Sequence, residues 1–281
     1  YLAEDGFKPV LLNHGHGSSW RNIAGGRPLF SMPEISDIAR GNSELFQSLQ
    51  KLANIDLKPI RYIGFAHDDA SLKALEASIA WSDSHLIGPE KFREEISPYF
   101  NASLKTYSAA LITRGCWQAS PGKTIDLVRR IGMQHGGTVQ ETSRLIHVGR
   151  DGGTYRALVY HPLIREYVEY RTPVFVNALG ANAETFAQML GLETGLYPVR
   201  HQAFITRRMP NLGHNGDSLD MLIDRRHYKG FVAVYGQQLH ETGQIIGCAS
   251  PACDPSETNQ DLRTNSKEFV EIVSEIFADW I

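Results

Sequence analysis

Val174-Phe-Val-Asn-Ala-Leu-Gly180 is the stretch of this 281-residue chain that most constrains its fold. The apolar run predicts a buried strand. The small residues Ala178 and Gly180 at its exit leave room for the backbone to pass close to a bound nucleotide. On its own, the stretch is better explained as an ordinary buried strand with a tight exit turn. Its meaning therefore depends on the rest of the sequence.

A polar, glycine-rich loop at residues 14–26 is the second informative stretch, and it follows a short apolar strand predicted at 10–12. Glycines let the backbone approach a ligand closely, and consecutive N–H groups bind anions or polar ring edges. By itself such a loop is more often plain surface. His14 and His16 lie in it without a neighbouring carboxylate, so we predict no metal site there.

Strand-like and helix-like segments alternate along the chain, a pattern that predicts the α/β class. A helix is predicted to start near Ser43, and a half-buried strand is predicted at 60–65. Pro121 is predicted to open a further helix. A hairpin is expected from strands at 154–160 and 168–171.

Composition excludes several classes of protein. The net charge of -3 offers no basic surplus for nucleic acid. No apolar run approaches the roughly 20 residues that span a bilayer. Three cysteines are too few and too scattered for a disulfide framework or a zinc site, which favours a reducing, cytoplasmic location. Gly122-Lys123-Thr124 lacks the preceding glycine of a phosphate-binding loop, since Trp117 stands there.

In chain order, these segments resemble the D-amino-acid oxidase family of FAD-dependent enzymes, which includes glycine and sarcosine oxidases. Residues 17–26 are similar to the family's Gly-x-Ser-x-x-Asn-x-Gly loop, and 175–180 to its Val-x-Asn-Ala-x-Gly signature. Residues 137–148 resemble the strand pair that meets the adenine. The resemblance implies a Rossmann-like FAD/NAD(P)-binding domain, incomplete here, interleaved with an α+β substrate domain built on an antiparallel sheet.

The resemblance also implies a division of the chain. Residues 1–58 would be part of the FAD-binding domain and 59–114 the first part of the substrate domain. Residues 115–191 would belong mainly to the FAD-binding domain and 192–281 to the substrate domain. The family's G-x-G-x-x-G turn and its C-terminal segment have no counterpart in the sequence, so we expect residues to be missing at both ends.

FAD is the cofactor that the resemblance implies. Its ring is expected against the backbone of 17–26, with the adenosine tail reaching toward Ala178 and Gly180. Asn13 stands where the family usually has an acidic residue that binds the ribose; an amide can hydrogen-bond a hydroxyl, but without the added strength of a charge. The residues predicted to bind FAD are Asn13, Gly17, Ser18, Ser19, Arg21, Asn22, Ala24, Gly25, Gly26, Leu145, Ala178 and Gly180.

The implied reaction is oxidation of the C–N bond of an amino acid or secondary amine, by hydride transfer to the flavin. Arg27 is the candidate for the substrate carboxylate, because its planar fork matches a carboxylate bidentately. Tyr228 and Tyr235 are candidates for hydrogen bonds to substrate. A solvated arginine and buried structural tyrosines are the competing interpretations. This chemistry requires no general base, so we name no catalytic residue.

Three alternatives remain at this stage. The protein could be an amine dehydrogenase that passes electrons to a quinone or a partner subunit. It could be a flavin-free binding or assembly module derived from the same fold. Modification of an RNA nucleoside is a third, against which the lack of basic charge argues. We therefore expect a small amine or amino-acid substrate and no nucleic acid, with a homo-oligomer or a partner subunit compatible with the sequence.

Overall fold

The computed structural model describes residues 2–3, 5–13, 15, 17–30, 32–101, 106–251 and 267–281, and these form two compact units. The first unit holds the described residues of Tyr1–Asn22 and Pro121–Val199. The second holds those of Ile23–Ser120, Arg200–Cys253 and Asp261–Ile281. His14, His16 and Cys253 lie outside the described residues.

The first unit contains a parallel strand pair. Strand β1 (Val10–Leu12) pairs in parallel with β6 (Thr138–Gln140), and helix α4 (Pro121–Gln134) leads into β6. Gly136 has a φ of 93°, which glycine adopts without the steric cost of a Cβ, and so it ends the helix in the usual way. The predicted helix opening at Pro121 is confirmed. A helix that leads into one strand of a parallel pair is a feature of nucleotide-binding α/β domains.

A three-stranded antiparallel sheet completes the first unit. It consists of β7 (Arg144–Asp151), β8 (Thr154–His161) and β9 (Glu166–Thr172), so the predicted hairpin is confirmed. The buried strand predicted at 174–180 is wrong. No described strand pairs with this segment, and Val174 and Val176 are 58% and 61% exposed. The apolar run has Phe175 and Leu179 packed inward instead, against the small core formed by Leu145, Ala157 and Val159.

The second unit is built on an eight-stranded, mostly antiparallel sheet with the order β10-β13-β12-β11-β3-β5-β2, in which β4 also pairs with β5. The pair of β11 and β3 is parallel, and the other pairs are antiparallel. The strand bounds are β2 (Gly25–Gly26), β3 (Lys58–Ala66), β4 (Ser84–Ile87), β5 (Ala109–Gln118), β10 (Gln202–Arg208), β11 (Met221–Asp224), β12 (Phe231–Gln238) and β13 (Gln244–Pro251).

One face of this sheet carries the main core, which we call the helix-side core. Alternation along β3 turns Ile63 and Phe65 into it, and both are buried. Helix α6 (Lys267–Trp280) covers this face with a stripe of buried side chains at helical spacing. Trp280 ends the stripe fully buried and donates its indole N–H to the Tyr107 hydroxyl at 2.9 Å.

Four further α-helices lie in the described part of the chain. Helix α1 (Pro33–Leu52) begins ten residues before the predicted start at Ser43. The side chains buried in its first turns are the polar Ser36 and the small Ala39, while Ile38 is 68% exposed, so the pattern of large apolar residues does not reveal this part of the helix. The short helices are α2 (Asp69–Ser78), α3 (Phe92–Glu95) and α5 (Ala183–Gln188). In the described part of the chain, no helix has the length and apolar character needed to cross a bilayer.

The boundaries of the two units differ from the predicted domains mainly at residues 23–58. This segment was predicted to be part of the FAD-binding domain, whereas it lies in the second unit. The physical reason is its packing on β5: strand β2 pairs with Gln118 and Trp117, and Phe46 of α1 contacts the Trp117 ring at a centroid distance of 5.4 Å.

Candidate functional site

The first unit brings three of the predicted FAD-binding stretches into one corner. Leu12 at the end of β1, Phe175 and Leu179 all pack against the small core that contains Leu145. Asn13 directly follows Leu12, and Ala178 directly precedes Leu179. The ends of these stretches are therefore neighbours, although they are far apart in sequence.

Asn13 is held by a network that contains a carboxylate. Its side-chain N–H donates to Glu141 Oε2 at 2.7 Å, and its side-chain oxygen accepts the Gly15 N–H at 3.2 Å. Glu141 also forms an ion pair with Arg129. Sequence reasoning missed Glu141, but a signal was present: it directly follows β6, and the carboxyl ends of parallel strands meet at one edge of a sheet. The carboxylate of Glu141 thus stands beside Asn13, at the position where the family usually has an acidic residue and this sequence has none.

The loop at 17–22 exposes polar groups around an open glycine. Trp20 N–H donates to the Gly17 carbonyl at 3.2 Å, and Arg21 N–H to the Ser18 carbonyl at 3.0 Å, which makes consecutive turns. Among the described residues, and apart from the chain neighbours of Gly17, no heavy atom lies within 4 Å of a Cβ built on this glycine. Ser18, Ser19 and Arg21 are exposed, while the Asn22 amide donates to the Ser19 carbonyl. The loop therefore offers donors beside open space.

The turn after Phe175 is shaped by Asn177. Its amide donates to the Ala183 carbonyl at 2.8 Å, and its oxygen accepts the Leu179 N–H at 3.3 Å. Ala178 and Gly180 are exposed, and nothing lies within 4 Å of a Cβ built on Gly180, whose φ is 56°. These residues leave their backbone accessible to a ligand.

Ala24, Gly25 and Gly26 lie in the second unit, so the predicted flavin loop is divided between the two units. Close packing explains why Gly25 and Gly26 carry no side chain. A Cβ on Gly25 would stand 2.3 Å from the Tyr62 hydroxyl, and one on Gly26 would stand 2.2 Å from the Trp117 ring. Close packing of side chains alone accounts for these two glycines, and it does not require a ligand.

The second face of the large sheet carries the candidate substrate surface, which we call the tyrosine face. Alternation along the central strands turns six side chains to this face, where they form a separate apolar cluster. Burial raises the pKa of Tyr62, and it raises the pKa of the Cys116 thiol to about 12. The tyrosine face consists of Ile60, Tyr62, Cys116, Met221, Ile223 and Tyr235.

Arg27 lies over this face. Its guanidinium carbon is 4.5 Å from the centroid of the Phe30 ring and 5.9 Å from that of Tyr62, which is cation–π distance. Arg225 follows β11 at the spacing of Met221 and Ile223, so the alternation places it on the same face. Burial and the charge of Arg27 lower the pKa of Arg225, although its side chain keeps exposed surface. Two cations therefore share the tyrosine face.

Tyr235 stands in a polar corner of the same face. Its hydroxyl lies 3.4 Å from His201 Nδ1, and Cys248 Sγ lies 4.0 Å from that nitrogen. Burial raises the pKa of Tyr235 to about 12 and lowers the pKa of His201. Both side chains are therefore uncharged at neutral pH.

Tyr228 lies elsewhere. It packs against the helix-side core, and its hydroxyl donates to Glu275 Oε2 at 2.6 Å. Lys229 stands 5.1 Å from the centroid of its ring and binds the same carboxylate. The hydroxyl of Tyr228 is thus already satisfied, on the face of the sheet opposite to Tyr235.

Sequence reasoning missed Tyr62, Arg225 and His201 in addition to Glu141. Tyr62 and Arg225 show their relation to Arg27 only when the register of β3 and β11 is known, with Met221 opposite Tyr62. Among the described residues, no group of three or more His, Cys, Asp or Glu side chains could hold a metal ion.

Solved structures of flavin-type oxidoreductases share this fold. The chain is similar to L-proline dehydrogenase from P. horikoshii, with 22% identity, a TM-score of 0.79, and 100% of this chain and 72% of that chain covered. It is also similar to glycine oxidase from Geobacillus kaustophilus, with 14% identity, a TM-score of 0.78, and 100% of this chain and 73% of that chain covered. A third similar structure is L-alpha-glycerophosphate oxidase from Mycoplasma pneumoniae with FAD bound, with 14% identity, a TM-score of 0.69, and 97% of this chain and 72% of that chain covered. No curated protein matches the chain.

The family model of FAD dependent oxidoreductases, DAO, matches residues 1–278. The chain belongs to this family. The fold class predicted from the sequence, a Rossmann-like α/β domain with a substrate domain on an antiparallel sheet, is thereby confirmed.

Proposed function

We propose that this protein oxidises the C–N bond of a small amino acid or secondary amine, with FAD as the oxidant. The observation that carries the proposal is the pair Arg27 and Arg225 on the tyrosine face. Among the described residues neither forms an ion pair with a carboxylate, so both are available to a carboxylate of the substrate. The L-proline dehydrogenase and glycine oxidase neighbours support a small amino-acid substrate.

The residues of the first unit fit FAD. The open backbone at Gly17 and Gly180 allows close approach, and the exposed donors of Ser18 and Arg21 suit a polar or anionic ligand. Asn13, together with Glu141, would bind the ribose hydroxyls, and the carboxylate would strengthen those hydrogen bonds. When bound, FAD would supply the two-electron oxidation by accepting a hydride from the carbon next to nitrogen.

The residues of the tyrosine face would bind and orient the substrate. Arg27 would hold its carboxylate, because stacking of the guanidinium on Phe30 leaves the in-plane N–H groups free to bind. Tyr62 and Tyr235 keep their protons at neutral pH. Tyr62 would donate a hydrogen bond to the substrate, and the Tyr235 hydroxyl would accept one from the substrate ammonium. Met221 and Ile223 would exclude water from the carbon to be oxidised.

Oxidation of an amine needs its nitrogen in the neutral form, because a protonated amine has no lone pair to assist loss of hydride. His201 Nδ1, neutral at pH 7 and 3.4 Å from the Tyr235 hydroxyl, would accept the ammonium proton through that hydroxyl. The residue would thereby set the pH at which the amine becomes reactive.

The test is to purify the protein with FAD, record its flavin absorbance and add amines without oxygen. We expect L-proline, glycine or sarcosine to bleach the flavin bands. Glycerol 3-phosphate is the comparison for oxidation at C–O, and we expect no bleaching with it. A protein that takes up no FAD, or that is bleached by glycerol 3-phosphate alone, would contradict the proposal. The first result would favour the flavin-free binding module instead.

The electron acceptor is a separate question, because the similar structures include both an oxidase and a dehydrogenase. Readmission of oxygen with a peroxide assay, against a quinone under argon, separates the two. Rapid reoxidation by oxygen with formation of peroxide indicates an oxidase, and reoxidation by the quinone alone indicates a dehydrogenase.

A further inference from the structure

The tyrosine face carries two positive charges that the described protein does not neutralise. The two carboxylates that flank β11 already have other partners. Asp220 binds the Arg61 side chain at 2.7 Å, and Asp224 binds His67 and Arg226 at 2.8 and 2.9 Å. Neither carboxylate is therefore available to Arg27 or Arg225.

The two guanidinium groups repel each other across a partly buried surface. Burial, followed by the charge of Arg27, lowers the pKa of Arg225. An anion that binds near both guanidinium groups offsets their repulsion. The attraction between the anion and the two cations is stronger on a partly buried surface, where the effective dielectric constant is lower than in water. The pair is therefore suited to a ligand with more than one negative charge.

Arg27 and Arg225 provide two separate binding points for a ligand on the tyrosine face. Arg27 lies against the ring of Tyr62, whose register partner is Met221, and Arg225 comes four residues after Met221, directly beyond the end of β11. Four residues of strand extend about 13 Å. The backbone of Arg225 is therefore displaced along the tyrosine face from the Tyr62 ring that Arg27 contacts. A short chain with an anion at each end matches this arrangement better than a single carboxylate does.

We propose that the substrate belongs to the class of amino acids or N-substituted amines that carry two carboxylates, with Arg27 binding one and Arg225 the other. This inference rests on the proposed function, since it adds a second carboxylate to the same surface. Each planar guanidinium fork can bind one carboxylate bidentately, so Arg225 determines specificity between substrates with one and with two acidic groups.

The test is a calorimetric titration of the purified protein, with FAD supplied, using succinate, butyrate and inorganic phosphate as probes. Succinate and butyrate have four carbons each and differ in the second carboxylate. A hydrogen-bonded charge contributes about 1.5–3 kcal/mol, so we expect succinate to bind about 10- to 100-fold more tightly than butyrate. Arg225→Met is expected to lower the affinity for succinate to that for butyrate and to leave butyrate binding within about twofold.

Two further variants make the result specific. Arg130→Met is the matched control, because Arg130 is exposed on α4 and its loss changes the net charge equally; it should alter neither affinity. Arg225→Lys keeps the charge without the fork and should show an intermediate preference, which also shows that the loss in Arg225→Met is not caused by unfolding.

Several outcomes would overturn the inference. These are equal binding of succinate and butyrate by the unaltered protein, equal weakening of both by Arg225→Met, and tighter binding of phosphate than of succinate. Failure of the proposed function has a different signature, namely a retained succinate preference in a protein whose flavin is reduced neither by L-proline, glycine or sarcosine nor by amino acids with two carboxylates such as aspartate and glutamate.

Discussion

Gly17 and Gly26 belong to one glycine-rich loop, yet their surroundings differ. A Cβ on Gly26 would lie 2.2–2.5 Å from three atoms of the buried Trp117 indole, whereas a Cβ on Gly17 would meet nothing within 4 Å. A side chain that overlaps a rigid, buried ring forces the surrounding structure to shift. The two glycines therefore serve different purposes, and substitution can separate them.

We predict that Gly26→Ala lowers the free energy of unfolding by about 1–3 kcal/mol, because overpacking against Trp117 displaces β2 from β5. Thermal or urea unfolding of the FAD-free protein measures the loss. Gly17→Ala is the matched control and should leave this stability unchanged while weakening FAD binding. Equal stability of both variants would show that the Trp117 contact does not restrict Gly26.

Asp224 is a buried charge whose ionisation couples to stability. It is fully buried and contacts His67 at 2.8 Å, Tyr107 at 2.8 Å and Arg226 at 2.9 Å. Burial acts to raise the pKa of Asp224, but the bonds and charges of His67 and Arg226 outweigh burial and hold the pKa below its usual value. The ionised form is therefore favoured in the folded protein.

We predict that Asp224→Asn costs about 3–5 kcal/mol of stability at pH 7, because the partly buried Arg226 loses one of its two carboxylate partners and keeps only Asp279. A depressed folded pKa stabilises the protein above the unfolded value of about 3.9 and ceases to do so as the pH falls through the folded pKa. The difference between wild type and variant should therefore narrow below about pH 4.

Urea unfolding between pH 7 and pH 3 measures this difference. Asp217→Asn is the control, because that residue is exposed; it should change stability by less than about 0.5 kcal/mol. If the difference in unfolding free energy between wild type and Asp224→Asn stays constant below pH 4, ionisation of Asp224 is not the source of the stabilisation.

Strand β2 has only two residues, so its position depends on side chains of neighbouring strands. The buried Gln237 of β12 donates its amide to the Ile23 carbonyl, directly before β2, and its oxygen accepts an N–H from Gln118 at 3.0 Å. The Ala24 carbonyl accepts the Ala119 N–H at 2.9 Å. Gln237 therefore links the segment that precedes Arg27 to the centre of the sheet.

We predict that Gln237→Leu lowers stability by about 1–3 kcal/mol, because the Ile23 carbonyl and the Gln118 amide lose a buried partner. Hydrogen exchange at the Ala119 amide should become faster, since β2 is held less firmly. Gln188→Leu is the control, because the Gln188 amide bonds Glu184 at an exposed position of α5. Unchanged exchange at Ala119 would mean that Gln237 does not hold the segment.

Elements with a periodic apolar stripe or a clear opening residue were predictable from the sequence, as α4 and the β8–β9 hairpin illustrate. Elements that depend on a distant partner were not. The run at 174–180 has the composition of a buried strand, but a strand requires a hydrogen-bonded neighbour, and no described strand lies beside it. Helix α1 extends back to Pro33 over turns that bury few side chains, so its start gave no periodic signal.

The family and its cofactor lead to a prediction for the protein as a whole. A ligand that binds the folded state at 100 times its Kd adds about 2.7 kcal/mol to stability. For a chain of this size that corresponds to a rise in Tm of about 5 °C or more. We expect FAD to produce this shift. Riboflavin, which lacks the adenosine that Asn13, Ala178 and Gly180 would contact, should produce a smaller one. An unchanged Tm at saturating FAD would contradict the cofactor assignment.

The candidate site was only partly visible in the sequence. Arg27 and Tyr235 were identified as substrate candidates, and they lie at the tyrosine face. Arg225 and Tyr62 were not identified, because their relation to Arg27 depends on the parallel register of β3 with β11. Glu141 was missed for the same reason, since only the pairing of β1 with β6 brings it to Asn13. Single motifs indicate a chemistry, but contacts between distant strands complete the site.

The parallel pairing of β3 with β11 also affects how the protein is made. Arg61 and Asp220, which hold this pair together, are 159 residues apart in the chain. At roughly 5–20 residues per second, a ribosome needs about 8–30 s to reach Asp220 after completing Arg61. During that time the edge of β3 that pairs with β11 is unpaired in the nascent chain. We therefore expect that lower growth temperatures or co-expressed chaperones increase the yield of soluble protein.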